Sequence, residues 1–307
     1  AGDEPLSIPD GASGRLPFAE WLTRPGHPLT ARVMVNRIWQ HHFGRGLVAT
    51  PSNFGTSGES PTHSELLDWL ATRFIESGWS IKAMHRLILA SKTYQLSSVA
   101  AGTANDAVLH DPANRWHARF GRRRLDAESI RDAMLAVAGR LDRSRPGPHP
   151  FPPMADWNWT QHKPFKAVYP SSHRSVYLMT QRIQRHPYLA LFDGADPNVS
   201  TDVRTSATVP LQALFSMNHP FVSEQAAAFA RRLLDSSRDP AQRVDFAHRL
   251  AYARTSRPDE RQRGATYIEA YEHELTHLGI TVADAELEAW TSYARVLLTA
   301  NEFVYID

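Results

Sequence analysis

The sequence has no cysteine. That excludes a disulfide, a thiolate metal site and covalent haem attachment through a Cys-x-x-Cys-His motif within this chain. Lysine is almost missing as well: Lys82, Lys92, Lys163 and Lys166 are the only ones, so a pI near 8.9 at a formal net charge of +2 rests on arginine. Such an excess either supplies planar forks for carboxylates and anions or follows from base composition. No basic block is longer than Arg122-Arg123-Arg124, which argues against a nucleic-acid stripe. No run approaches the roughly 18 apolar residues of a membrane span, and no basic start followed by an apolar segment marks a signal peptide. The chain begins with Ala1, as expected of a processed form or a piece of a longer protein.

What is present is a hydrophobic fraction of 42% over 307 residues, enough to bury the core of one large or two modest domains. Residues 1–14, rich in Gly, Pro, Ser and Asp, read as a flexible linker. Residues 15–98 read as an N-terminal helical unit. In it, Pro17 opens a short helix to about Arg24, a longer helix runs from Leu29 to Phe43, and Gly44 ends it. Thr62 and Glu65 have capping-box spacing ahead of Leu66, Leu67, Leu70 and Phe74. Ser80 caps a further helix with Ile81, Met84, Leu87 and Ile88 on its apolar stripe. Residues 99–115, small and polar, read as a second linker. Residues 116–307 read as a C-terminal helical unit packed with the first as one compact domain. Asp126 caps a helix to about Leu141, Ser175 to Met179 reads as a strand, and helices follow over 209–217, 220–234, 241–253, 258–278 and 283–299. The expected class is mainly α: an irregular multi-helix bundle with one long Pro/Trp-rich loop, residues 144–174, and at most a small β element.

Several segments together resemble one known family. They are "HPLTARVMVNRIWQ" from His27, "GRRRLDAESIRDAMLAVAGRLD" from Gly121, "HRSVYLMTQR" from His173, "LFDGADPN" from Leu191, "TVPLQALFSMNHPFV" from Thr208, and the terminal "AWTSYARVLLTANEFVYID". In this order the chain is similar to the planctomycete secreted domain one family, a domain of unknown function. The resemblance implies an exported, periplasmic or extracytoplasmic protein with other domains or chains of a multi-domain, cytochrome-c-like protein as partners. No cofactor is expected in this chain, and any haem would sit on another domain or partner. The family brings no reaction that can be carried over residue by residue.

The candidate site residues come from the side chains themselves. His42, His63 and His85 lie on or beside three successive helices and offer imidazoles to a metal such as zinc. They have no local ligand spacing among themselves, and the alternative is that they hold the loop by hydrogen bonds. Arg37 on the 29–43 helix, with Glu128, Arg131 and Asp132 on one face of the Asp126 helix, suggests either an internal ion network joining the two halves or an anion-binding cleft. The loop "FGRGLVATPSNFGTSGE" lacks the strand and Gly-Lys-Ser of a phosphate loop, so its glycines are expected to supply positive backbone angles. Trp157, Trp159, His162, Lys163, Tyr169 and Arg174 combine stacking faces with donors suited to sugars or anionic glycans, or else pin an irregular loop to the core.

Three functions follow. The first is a non-catalytic interaction or scaffold module of an exported, cytochrome-c-associated protein linked to electron transfer or glycan use. The second is an enzyme or binder for carbohydrate or another polar or anionic substrate, using Arg37, His42, His63, Glu128 and Arg131 with the Trp157–Tyr169 loop. The third is a metal enzyme with His42, His63, His85 and a carboxylate.

Overall fold

A computed structural model describes residues 6–99, 109–160, 162–163, 165 and 167–306. The first five residues of the expected lead-in, residues 100–108 of the expected linker, and Lys166 lie outside them. The described chain is mainly α and divides into two compact units, residues 1–123 and 124–306. Among the described residues no helix is long and apolar enough to cross a membrane.

In the first unit, helix α1 (Arg15–Thr23) carries no buried residue. Helix α2 (Thr30–Phe43) buries Ala31, Val35, Ile38 and Trp39 on one face, the spacing that 3.6 residues per turn demands. Gly44 ends it at φ 81°, its N–H returning to Gln40 O at 2.7 Å, the left-handed C-cap that glycine adopts without penalty. Helix α3 (Ser64–Glu76) buries Leu67, Leu70, Ala71 and Phe74. The expected capping box does not form: Thr62 gives its N–H to Leu47 O at 2.9 Å, and the N-cap residue is His63. Thr62 is held by the loop it closes. Helix α4 (Ile81–Leu89) is capped as expected, Ser80 Oγ accepting from Ala83 N–H at 3.2 Å, but only Met84 and Ile88 are buried. Ile81 in the first turn and Leu87 face solvent.

The loop between α2 and α3 is organised by one buried amide. Asn36 donates to Val48 O at 3.0 Å and accepts from Val48 N–H at 2.9 Å, serving as the backbone partner that this segment would otherwise lack. Of the four loop glycines only Gly44 has a positive φ. Gly46 and Gly58 are needed for close approach instead, since a Cβ would sit 2.6 Å from Asn36 Nδ2 at the first and 2.1 Å from Asn53 O at the second.

Strand β1 (Arg123–Arg124), at the division between the units, pairs with β2 (Tyr305–Ile306), the only sheet among the described residues. Asp126 caps helix α5 (Ala127–Val137), accepting from Ser129 N–H at 2.8 Å. The helix stops short of Leu141 because the chain turns at Gly139, φ 73°. Residues 175–179 are not a strand. Ser175–Tyr177 form a single 3-10 turn, because Ser175 gives both N–H and Oγ–H to Asp132 Oδ1, at 2.8 and 2.7 Å. Val176 is left 76% exposed.

Proline opens most of the remaining helices: α6 (Pro187–Leu191), α7 (Pro210–Asn218), α8 (Pro220–Leu234), α9 (Pro240–Tyr252) and α10 (Pro258–His277). Its fixed φ suits the first turn, and its missing N–H is one that no helix uses there. Helix α11 (Val282–Thr299) and the short α12 (Asn301–Val304) follow. The core forms where Val222, Ala226, Phe229 and Leu233 of α8 meet Ala289, Trp290, Ala294 and Leu298 of α11, all nearly solvent-free. The alanines let the two axes approach. Each large side chain so buried contributes roughly 1.5–3 kcal/mol.

Candidate functional site

The first unit's histidines form two contacts rather than one centre. His42 Nε2 meets His85 Nδ1 at 2.8 Å, with Tyr94 edge-on to the His42 ring at 5.6 Å. Burial, then His85, Arg123 and His41, hold His42 down at about 4, so at neutral pH His42 enters this contact as a neutral imidazole. His63 instead contacts Thr62 Oγ1 at 3.0 Å and the rings of Trp116 and His117. His42, His63 and His85 therefore do not converge, and among the described residues no group of three or more His, Asp or Glu is placed to hold a metal ion. Arg37 is exposed.

Arg131, on α5 of the second unit, is a buried cation, 6% exposed. Its Nη1 donates to His173 O at 3.0 Å and Ser175 Oγ at 3.1 Å, and its Nη2 donates to Ser171 O. The guanidinium thus fastens the irregular segment 171–175 onto α5. The nearest carboxylate, Asp132, is 3.6 Å away and already accepts both donors of Ser175. Burial pulls the Arg131 pKa down from its ordinary value, against smaller opposing effects of Asp132 and Tyr188. A guanidinium has five N–H donors. Its Nε–H and one Nη2–H have no partner among the described residues. Glu128, the other expected partner, is taken by Arg204 in a two-point pair at 3.0 and 3.1 Å.

Arg131 lines a cavity of about 650 Å³. Leu135, Leu178, Leu191, Phe215, Phe221 and Tyr188 form its apolar walls, and Arg140, Tyr169, Ser172, His186 and His219 add polar groups. This size and composition match small-molecule sites. Phe221 lies 5.7 Å from the Arg131 guanidinium carbon, a cation–π contact that further desolvates the charge. His186 is kept neutral by burial and then by Arg131. Two polar atoms in residues of this wall, His186 Nδ1 and Gln225 Oε1, are sealed from solvent without a hydrogen-bond partner. Each such group costs about 1–3 kcal/mol, and broken local rules of this kind gather at functional sites.

The expected Trp157–Tyr169 surface is divided. Tyr169 belongs to the Arg131 cavity. Trp157 and Trp159, with centroids 5.2 Å apart, continue to Phe165 at 4.8 Å beside a separate hollow of about 530 Å³ lined by Phe151, Gln181, Arg182 and Ile183. Trp157 donates its indole N–H to Pro152 O at 3.0 Å yet remains 50% exposed. His162, Lys163 and Arg174 are exposed.

His186 and Gln225 carry no sequence signal, because Arg131, with which they line the cavity, is far from both in the chain. A different stretch does carry one and is absent from the candidates above: His273-Glu274-Leu275-Thr276-His277 has the spacing of metalloprotease helices. Its two imidazoles do meet, Nε2 to Nε2 at 3.0 Å, but on the exposed last turns of α10, with no third metal-ligating side chain grouped with them among the described residues. His219 Nδ1 caps α8 by accepting from Phe221 N–H at 3.1 Å, and Glu302 is bound by Arg254.

Residues 14–268 match the family model described as PSD1, protein of unknown function (DUF1553), and the chain belongs to that family. No curated protein and no solved structure matches it.

Proposed function

We propose that this member of a family of unknown function is a non-catalytic binding module whose second unit holds a small organic molecule in the cavity beside Arg131. The observation that carries the reading is a buried guanidinium with uncommitted donors in the wall of a 650 Å³ apolar cavity. A fold that needed Arg131 only as a fastener would gain from closing that space. Binding rather than catalysis is favoured because, among the described residues, no Ser or Tyr hydroxyl of the wall is hydrogen-bonded to His186 or His219, as an activated nucleophile would be. In keeping with the family resemblance, the module works in an exported protein beside a cytochrome-c-like domain or partner that carries the haem. The neutral fluorescent probe N-phenylnaphthylamine tests the cavity directly. It should bind the folded protein at one site and lose that site in Ser172→Trp, which fills the mouth from an exposed position. Equal binding by both proteins would place the probe elsewhere and sink the reading.

A second reading, a glycan platform, is favoured by the half-exposed Trp157 beside Trp159. Stacking of a neutral disaccharide there would quench tryptophan fluorescence in the wild type and not in Trp157→Ala. An unchanged spectrum would remove it.

A further inference from the structure

The cavity's charge and shape point to a ligand class. Its permanent charges are Arg131 in the wall, Arg140 towards the exposed side, and Glu224, which approaches Arg140 only to 3.9 Å. Burial and Arg131 disfavour the charged form of His186. The lining residues thus carry one more permanent positive than negative charge, and Asp132, outside the lining at 3.6 Å from Arg131, offsets that excess only in part because it is spread over the hydrogen bonds from Ser175. Phe221, Glu224 and Gln225 come from the first two turns of the 15-residue helix α8, whose amino-terminal dipole adds to the preference for an anion. Arg131 presents a planar fork, the geometry that carboxylates satisfy with two parallel hydrogen bonds. Around it stand flat rings: Phe221 beneath the guanidinium, Phe215 stacked on His219 at 4.1 Å, and Tyr188 5.5 Å from Phe215. A sugar, with hydroxyls on every side, would leave most of its polar groups against apolar walls.

We propose that the cavity binds a monocarboxylate with a flat aromatic body, its carboxylate paired to Arg131 and its ring lying against Phe215, Phe221 and Tyr188. This rests on the reading of the cavity as a ligand site and adds the chemistry of the ligand. The simplest probe is cinnamate, and its neutral counterpart is cinnamamide. Calorimetric titration of the intact chain should show cinnamate binding at least about tenfold more tightly than the amide, the scale of one charge-assisted pair in a desolvated site. Acetate, which has the charge without the ring, should not bind at the same concentrations. Arg131→Lys keeps the charge but loses the fork and should remove most of the acid-over-amide preference. Because Arg131 also fastens residues 171–175, Arg140→Gln serves as a second variant. It is half-exposed at the rim and should weaken cinnamate about two- to threefold through lost long-range attraction with no effect on the amide.

If the amide matches the acid, or acetate matches cinnamate, the ligand class is wrong, while displacement of N-phenylnaphthylamine by either compound would keep the cavity as a site. If cinnamate binds equally well to Ser172→Trp, the acid is bound outside the cavity and the inference fails. If neither cinnamate nor the neutral probe binds the wild type, both the ligand class and the cavity reading fall together.

Discussion

Two arginines of the second unit, Arg131 and Arg254, meet the cost of burying a cation in opposite ways. Arg254 is clasped by two carboxylates: Glu260 accepts from Nη1 and Nη2, both at 2.8 Å, and Glu302 accepts from Nε at 2.5 Å and Nη2 at 2.7 Å. Every face of its fork is spent, its pKa is raised by those partners, and Glu260 is held down at about 2, chiefly by the hydrogen bond from Arg254. Arg131 is the more deeply buried, yet it has two carbonyls, one hydroxyl and a carboxylate at 3.6 Å, beside open space. The first arrangement is complete as it stands and joins the ends of α9, α10 and α12. The second leaves donors unspent, and an incomplete network next to a cavity is what a ligand can complete.

Substitutions sharpen this contrast. Arg254→Ala should have the largest effect on stability, about 3 kcal/mol, the low end for a broken buried pair because its side chain is 31% exposed. Chemical denaturation measures it, and cinnamate affinity should be unchanged. A loss below about 1 kcal/mol would mean that the clasp is an ordinary surface pair.

Acid should act on the same clasp. Glu260 lies at about 2 in the folded chain against an ordinary value of 4.5, so the unfolded state binds the proton more readily. Its stabilisation is present above pH 4.5 and is lost as pH falls from there towards 2. Glu260→Gln should be less stable than the wild type at neutral pH and should flatten the acid limb of a stability–pH curve. An unaltered limb would remove Glu260 from the account.

At the cavity the sign should reverse. Gln225→Leu removes a sealed, unpartnered acceptor from a residue only 2% exposed and should stabilise the protein by about 1 kcal/mol, despite losing the Nε2 bond to Phe221 O. Destabilisation would show that Gln225 is a structural residue after all. In the first unit the smallest effect at neutral pH is expected. His42 is held at about 4 rather than 6.5, so its contribution is present above pH 6.5 and is lost as pH falls from there through 4. His42→Gln should abolish that slope and leave the neutral-pH stability nearly the same.

The helical framework was legible in the sequence where the signal is local. Gly44, Ser80, Asp126 and the opening prolines act within a turn of where they stand. Ser175 to Met179 misled because strand-like composition is a weak prior, and Asp132, more than forty positions away, captures both Ser175 donors. Thr62 failed as a cap for the same reason, being claimed by Leu47. Of the site, the face carrying Glu128, Arg131 and Asp132 could be read from helical spacing, but their partners could not: Arg204, Ser171 and Ser175 are brought in by folding. The aromatic segment announced itself by composition, yet only the fold shows that Tyr169 joins Arg131 while Trp159 lines another hollow.

The central claim is that Arg131, unlike Arg254, has guanidinium donors free for a ligand. Side-chain nitrogen–proton NMR of the arginine Nε–H groups, recorded while cinnamate is titrated into the wild-type chain, tests it most directly. The account predicts that the Arg131 signal shifts and becomes protected from exchange at saturation while the Arg254 signal stays in place. A motionless Arg131 signal in the presence of bound cinnamate would contradict it.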